Sequence, residues 1–231
     1  ALQRAGFPVI ATIHHPITVD RRLEMEHATS AYKRLTLRRW YAFTDMQTRV
    51  ASRLDRVITV SENSFKDISH DHKVDPARMK IVPVGVDPSL FLPVPFIERT
   101  PGMLITTASA DVAMKGLRYL LEAVAKLRTE RPEVTLTVIG RPKEGGESAR
   151  TIAELGLSDA VTFVSGVSDE RIVELYSEAE AAVVPSLYEG FSLPAIEAMS
   201  CAIPLVATTG GAIPEVVGPD GVTAFSVPPG D

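Results

Sequence analysis

The chain has 231 residues, 45% hydrophobic and 23% charged, enough apolar material for a packed core and too little polar bias for disorder. Its 24 Lys and Arg against 29 Asp and Glu leave a net charge of −5, and with no basic run this argues against a nucleic-acid partner. The single cysteine, Cys201, excludes an internal disulfide and a Cys-based zinc site, and no apolar stretch approaches the roughly 18 residues that span a bilayer.

Short β-rich runs alternate with helical patterns. In chain order the strands are predicted at Pro8–Ile13, Arg56–Val60, Lys80–Val84, Met103–Thr107, Val134–Ile139, Ala160–Val164, Ala181–Pro185, Ile203–Ala207 and Thr223–Val227. Several are nearly continuous apolar runs, as expected for parallel strands covered on both faces. One long charged helical stretch is predicted from about Arg22 to Leu54. The clearest amphipathic helix carries Leu117, Leu120, Leu121, Val124 and Leu127 on one face and Arg118, Glu122, Lys126 and Arg128 on the other. This alternation implies βαβ units. Five prolines between Pro83 and Pro101 read as a connection, because proline fixes φ and cannot donate to a ladder. The expected organisation is a partial Rossmann-like domain over 1–84, a linker over 85–101 and a second Rossmann-like domain over 102–231 with about five strands and four helices. The first domain, opening at Ala1 and holding three strands, is expected to be cut short at its start.

The stretch from Pro185 to Ala207 is the most informative. A strand ends there, a glycine turn at Gly190 follows, and a helix begins with Ser192 as the expected N-cap and Pro194 in its first turn. The carboxyl edge of an open α/β sheet is its ligand edge, and a helix starting there offers N–H groups and partial positive charge to a diphosphate. Glu189 stands just before that helix and Glu197 about one turn into it, a pairing that suits sugar hydroxyls; an acidic helix start, however, is also ordinary dipole chemistry.

The run Glu189-Gly-Phe-Ser-Leu-Pro-Ala-Ile-Glu197 resembles the signature of retaining GT-B glycosyltransferases of family four, two glutamates separated by seven residues. Ile58-Thr-Val-Ser61-Glu, Ile81-Val-Pro-Val-Gly-Val-Asp87, Lys115-Gly-Leu-Arg, Leu136-Thr-Val-Ile-Gly140, Val161-Thr-Phe-Val-Ser-Gly166 and Gly210-Gly-Ala-Ile-Pro-Glu215 follow in that family's order, so the likeness covers nearly the whole chain. It implies a GT-B fold of two Rossmann-like parallel-sheet domains, the N-terminal one truncated and the C-terminal one lacking its last helices. The implied activity is transfer of a sugar from a nucleotide-diphosphate-sugar donor to an acceptor hydroxyl with retention, without metal or other cofactor. The resemblance gives Lys115, Glu189 and His14 catalytic roles. Glu189 would contact the donor sugar, Lys115 would neutralise the leaving diphosphate, and His14, from Thr12-Ile-His14, would approach donor and acceptor. Glu197 would grip the ribose, the backbone of Gly190, Phe191, Ser192 and Leu193 would line diphosphate and sugar, and Gly140, Arg141 and Val164 would lie toward the phosphate or base.

The chain departs from the family where Ala110 replaces an arginine that usually makes a second diphosphate contact; either Lys115 with the helix dipoles suffices, or Thr107, Ser109 or Arg141 compensates. That departure keeps a binding module without transfer activity as an alternative, with a sugar-nucleotide epimerase as a lesser one. No Gly-x-Gly-x-x-Gly, P-loop or Asp-x-Asp occurs, which disfavours a dinucleotide oxidoreductase, a P-loop ATPase and a metal-bridged diphosphate. His70-Asp-His72 reads as a polar turn, and the basic stretch with Arg21, Arg22, Lys33, Arg34, Arg38 and Arg39 as a solvated face in preference to a surface that helps bind the acceptor. The expected partners are a nucleotide-sugar donor and an acceptor of undefined class (sugar, lipid or small molecule), in the cytoplasm, with peripheral membrane contact left open. These 231 residues alone are expected to be inactive.

Overall fold

The structure, a computed structural model, describes residues 5–28, 30–108 and 112–231. The chain divides into two compact units, one of Ala1–Val84 with Glu189–Phe191, the other of Gly85–Tyr188 with Ser192–Asp231.

In the first unit, β1 (Ile10–Thr12), β2 (Arg56–Thr59) and β3 (Met79–Ile81) form a parallel sheet ordered β1-β2-β3. β3 stops before Pro83, earlier than predicted, because proline has no N–H for the ladder. The long helical stretch expected from about Arg22 to Leu54 starts earlier and divides into α1 (Ile17–Glu26), α2 (Ala31–Trp40) and α3 (Thr44–Ala51). The physical reason is a restart at Ser30, whose hydroxyl accepts from the Lys33 amide at 3.1 Å, and a 3-10 turn at Tyr41–Phe43 that offsets α3 from α2. α4 (Glu62–Asp71) is capped in the same way by Ser61. Val57 and Ile68, both fully buried, centre a small core with Ala51, Leu54 and Val74.

In the second unit, β4 (Thr100–Thr107), β5 (Thr135–Ile139), β6 (Val161–Val164), β7 (Ala179–Val184), β8 (Leu205–Thr208) and β9 (Phe225–Val227) form one parallel sheet ordered β6-β5-β4-β7-β8-β9. α5 (Leu117–Leu127), α6 (Glu147–Glu154), α7 (Asp169–Glu178), α8 (Leu193–Ser200) and α9 (Ile213–Val217) connect them. Among the described residues each of the six strand runs predicted here has its strand, six against a rounded expectation of about five, and there are five helices against about four. Adjacent β4 residues divide between two cores: Leu104 packs with Leu121, Val124 and Val138, and Ile105 with Tyr176, Leu205 and Ile213. α5 buries Leu117, Leu120, Leu121 and Val124, each worth roughly 1.5–3 kcal/mol.

The segment 85–101 is not a free linker. β4 begins at Thr100 and includes Pro101, while Val86, Leu90, Phe91 and Val94 pack on the second unit's core. Ser200 in α8 also donates its hydroxyl to the Phe91 carbonyl. Apolar residues between the prolines hold the segment down where proline content alone reads as a spacer.

Candidate functional site

The strand order of the second unit reverses between β4 and β7. β5 and β6 extend to one side, β8 and β9 to the other, so the carboxyl ends of β4 and β7 flank a topological switch point, where open α/β sheets form a ligand crevice.

Three turns crowd together beside it. A 3-10 turn, Ala113–Lys115, follows β4 and ends at Gly116 with φ +66°. A Cβ on Gly116 would sit 1.8 Å from the Pro185 carbonyl oxygen, so only glycine fits there. The Leu187 amide donates to the Met114 carbonyl at 2.8 Å, tying the β7 exit to the same turn. After β8, the Thr208 hydroxyl donates to the Ser186 carbonyl, and a Cβ on Gly210 would lie 2.6 Å from the Leu187 carbonyl. Backbone-to-backbone packing therefore fixes half-buried Lys115 beside the loop that leads toward α8.

The start of α8 differs from the sequence expectation in one respect. Ser192 occupies the N-cap position, but its side chain caps nothing: its backbone is left-handed (φ 94°, ψ 80°) and its buried hydroxyl has no hydrogen-bond partner among the described residues. A capping serine typically has extended backbone, which Ser192 does not. A non-glycine residue at positive φ stores about 1–3 kcal/mol of strain, and such residues concentrate at ligand clamps. Pro194 in the first turn has no N–H, so the amides of Leu193, Ala195 and Ile196 open a helix whose N-cap side chain makes no capping bond.

Glu197 is half-buried on α8. Tyr176 from α7, 1% exposed, donates its hydroxyl to Glu197 Oε2 at 3.4 Å and lies 3.2 Å from Thr107 Oγ1 at the end of β4. Burial pushes the Glu197 carboxyl above its ordinary value; the Tyr176 hydrogen bond opposes this and the charge of Asp169 adds to it. The Cys201 thiol is pushed up to about 11, by burial and then by Glu197, which makes it an inert core group. Neither Tyr176 nor Thr208 carried a sequence signal, since each acts on a residue about 21 positions away.

The remaining predicted residues are placed as follows. Gly140 closes β5 by donating its amide to the Val164 carbonyl at 2.8 Å, and Arg141 beside it is exposed. Phe191 is half-buried and Leu193 is 44% exposed. Glu189, 9% exposed, and Gly190 group with the first unit. There Ser61 and Ser64 donate to the Gly190 carbonyl at 2.7 and 3.1 Å, and a Cβ on Gly190 would meet the His14 carbonyl at 2.8 Å. The His14 residue is exposed, and His15 bonds Asp20 at 3.0 Å. Ser109 and Ala110 lie outside the described residues, while the Thr107 hydroxyl is engaged by Tyr176. His72 is buried against Thr48 at 3.0 Å, with burial lowering its pKa. Among the described residues no group of three or more His, Cys, Asp or Glu stands ready for a metal ion, and no helix is long and apolar enough to cross a membrane.

Two family models match the chain: "Glycosyl transferases group 1" over residues 97–231 and "Glycosyltransferase Family 4" over residues 1–90. Similar relatives include the MMP alpha-(1->4)-mannosyltransferase of Mycolicibacterium hassiacum, 48% identical over all of this chain and 55% of its own length. The D-inositol 3-phosphate glycosyltransferase of Mycolicibacterium vanbaalenii is 32% identical over 80% of this chain and 45% of its own length. The chain thus spans about half the length of the curated relatives it matches. Among solved structures, the sucrose-phosphate synthase of Thermosynechococcus elongatus superposes with a TM-score of 0.75 at 26% identity, covering 99% of this chain and 57% of that one. The Anabaena HepE protein, solved with UDP-glucose, gives 0.76 at 22% identity, covering 98% and 60%; this second likeness concerns the fold alone.

Proposed function

Since the chain belongs to the glycosyl transferases group 1 family, we propose that the full-length protein moves a hexose from a nucleoside diphosphate donor to an acceptor hydroxyl, with retention and without a metal ion. The observation that carries the reading is the switch point: an open helix start and a cation, Lys115, are held together by turns too tight for any side chain but hydrogen. A relative named as a mannosyltransferase makes a mannose donor the first to test.

The reaction breaks the bond between the anomeric carbon and the diphosphate oxygen. Negative charge grows on that oxygen, where the Lys115 ammonium and the amides opening α8 stabilise it; such fixed charges are usually the largest contribution to catalysis. The departing oxygen takes the proton of the acceptor hydroxyl, whose oxygen bonds the anomeric carbon on the same face. Glu197, held by Tyr176, accepts from ribose hydroxyls. Glu189 contacts the sugar hydroxyls and His14 the acceptor side, while Gly140, Arg141 and Val164 bound the nucleotide. Orientation and charge then replace a strong base.

A panel of nucleotide sugars, read by thermal shift and by transfer to oligosaccharide acceptors, tests this: one donor raises the midpoint and is consumed with acceptor. The rival reading, a binding module that does not transfer, rests on Ala110 in the place of the family's arginine. It predicts the same midpoint rise with no product.

A further inference from the structure

We propose that the first unit carries a second ligand site, a cationic cavity that takes a soluble phosphomonoester of about sugar-phosphate size. The inference goes beyond the transfer reaction and does not depend on it.

The cavity holds about 680 Å³, within the range of small-molecule sites and far larger than a bare phosphate. Its walls come from α1, α2 and the end of α4. Arg21 and Arg22 on α1, Arg34 and Arg38 on α2 and Lys73 just past α4 all line it. Helical spacing explains the convergence: Arg34 and Arg38 stand four residues apart and share one face of α2. Among the described residues the carboxylates on the wall are Glu26 and Asp71. Five fixed cations against two acids leave three positive charges in excess, in a chain whose net charge is −5.

Internal pairing does not use this charge up. Asp71 is engaged by Arg22 at 3.2 Å, by His70 at 2.8 Å and by the Thr18 hydroxyl. Burial alone would raise the Asp71 carboxyl, yet these partners hold it below its ordinary value, so it stays an anion committed to Arg22 and His70. Arg34, Arg38 and Lys73 form no ion pair among the described residues. Gathering unpaired like charges around one concavity is unfavourable without a counter-charge, and guanidinium forks match the geometry of a phosphate bidentately. α2 contributes nothing to a core, since none of its residues is buried; its arginines are not there as packing stems. Thr18 and Met25 add a hydroxyl and an apolar wall of the kind a sugar ring would meet.

The test is calorimetric titration of the full-length protein with inorganic phosphate, with glucose 6-phosphate and with phosphatidylglycerol vesicles. The expected result is saturable binding of glucose 6-phosphate, tighter than inorganic phosphate and undiminished in Lys115→Ala, a substitution that removes the cation of the donor site. Arg34→Gln with Arg38→Gln should weaken that binding at least about tenfold, the loss of two charge-assisted forks. Both residues are exposed, so the fold is retained, and circular dichroism checks it. Arg150→Gln, an exposed cation on α6, should change nothing. No saturable binding, equal weakening by Arg150→Gln, loss in Lys115→Ala, or binding to vesicles alone would each overturn the proposal.

Discussion

The six-stranded sheet of the second unit and the three-stranded sheet of the first are built from the same parallel βα steps but are closed to different degrees. In the second, adjacent β4 residues feed two separate cores, and three carboxyl-end turns pack so tightly that Gly116 and Gly210 have no room for a methyl group. In the first, β1 has alternating exposure with Ile10 62% exposed, and Tyr32, Leu35 and Trp40 on α2 are 81%, 60% and 70% exposed. A ligand edge in an open sheet requires backbone held within tenths of an ångström, and that rigidity is found where the sheet is covered on both faces. The first unit presents charge on helices instead.

The strongest way to break the contrast is at its tightest point. Gly116→Ala places a methyl against the Pro185 carbonyl at positive φ, and should destabilise the second unit by at least about 3 kcal/mol, seen as a lower denaturation midpoint. The same substitution at Gly6, whose Cβ would meet nothing, should cost about 1 kcal/mol or less, arising from its positive φ alone. Equal effects would mean that the crowding does not hold the turn.

Lys115→Ala comes next. Transfer should fall by about a hundredfold or more while the melting midpoint stays within a degree or two, as expected for a charge used in the transition state rather than in packing. An unchanged rate removes Lys115 from the chemistry.

Glu197→Gln separates stability from function. Burial raises the Glu197 carboxyl, so the folded state keeps its proton to higher pH than the unfolded chain does. That contribution is complete below the ordinary glutamate value and is lost as pH rises through the raised one. Glu197→Gln should therefore raise the midpoint near about pH 7, change it little near about pH 4, and weaken nucleotide binding throughout. A lower midpoint at neutral pH would show that the ionised carboxylate is a structural asset.

Much of this was legible in the residues. The predicted runs located the nine strands of the described residues, most plainly where a strand covered on both faces is a continuous hydrophobic word, and Gly190 marked a turn where a side chain does not fit. What escaped was relational. Ser192 reads as a cap by composition, but its φ of 94° follows from the loop's path and cannot be seen in a serine's identity. Tyr176 reads as helix core until Glu197 is brought to its hydroxyl by the β7–α8 crossover. Prolines between 85 and 101 suggested a spacer because proline's backbone rule is local, whereas Phe91's burial is decided by a surface far along the chain. The arginines of α1 and α2 look like a solvated face until two helices turn them toward one cavity.

The smallest effect is expected at β1. In these 231 residues Ile10→Lys should change stability by no more than about 0.5 kcal/mol, read by denaturation, since the side chain is 62% exposed.

A crystal of the full-length protein soaked with a nucleoside diphosphate tests the switch-point site most directly. The diphosphate is predicted within hydrogen-bond reach of the Lys115 amine and of the first amides of α8, with the ribose on Glu197. Density for it only among Arg34 and Arg38, or at the opposite edge of the six-stranded sheet, would contradict that placement.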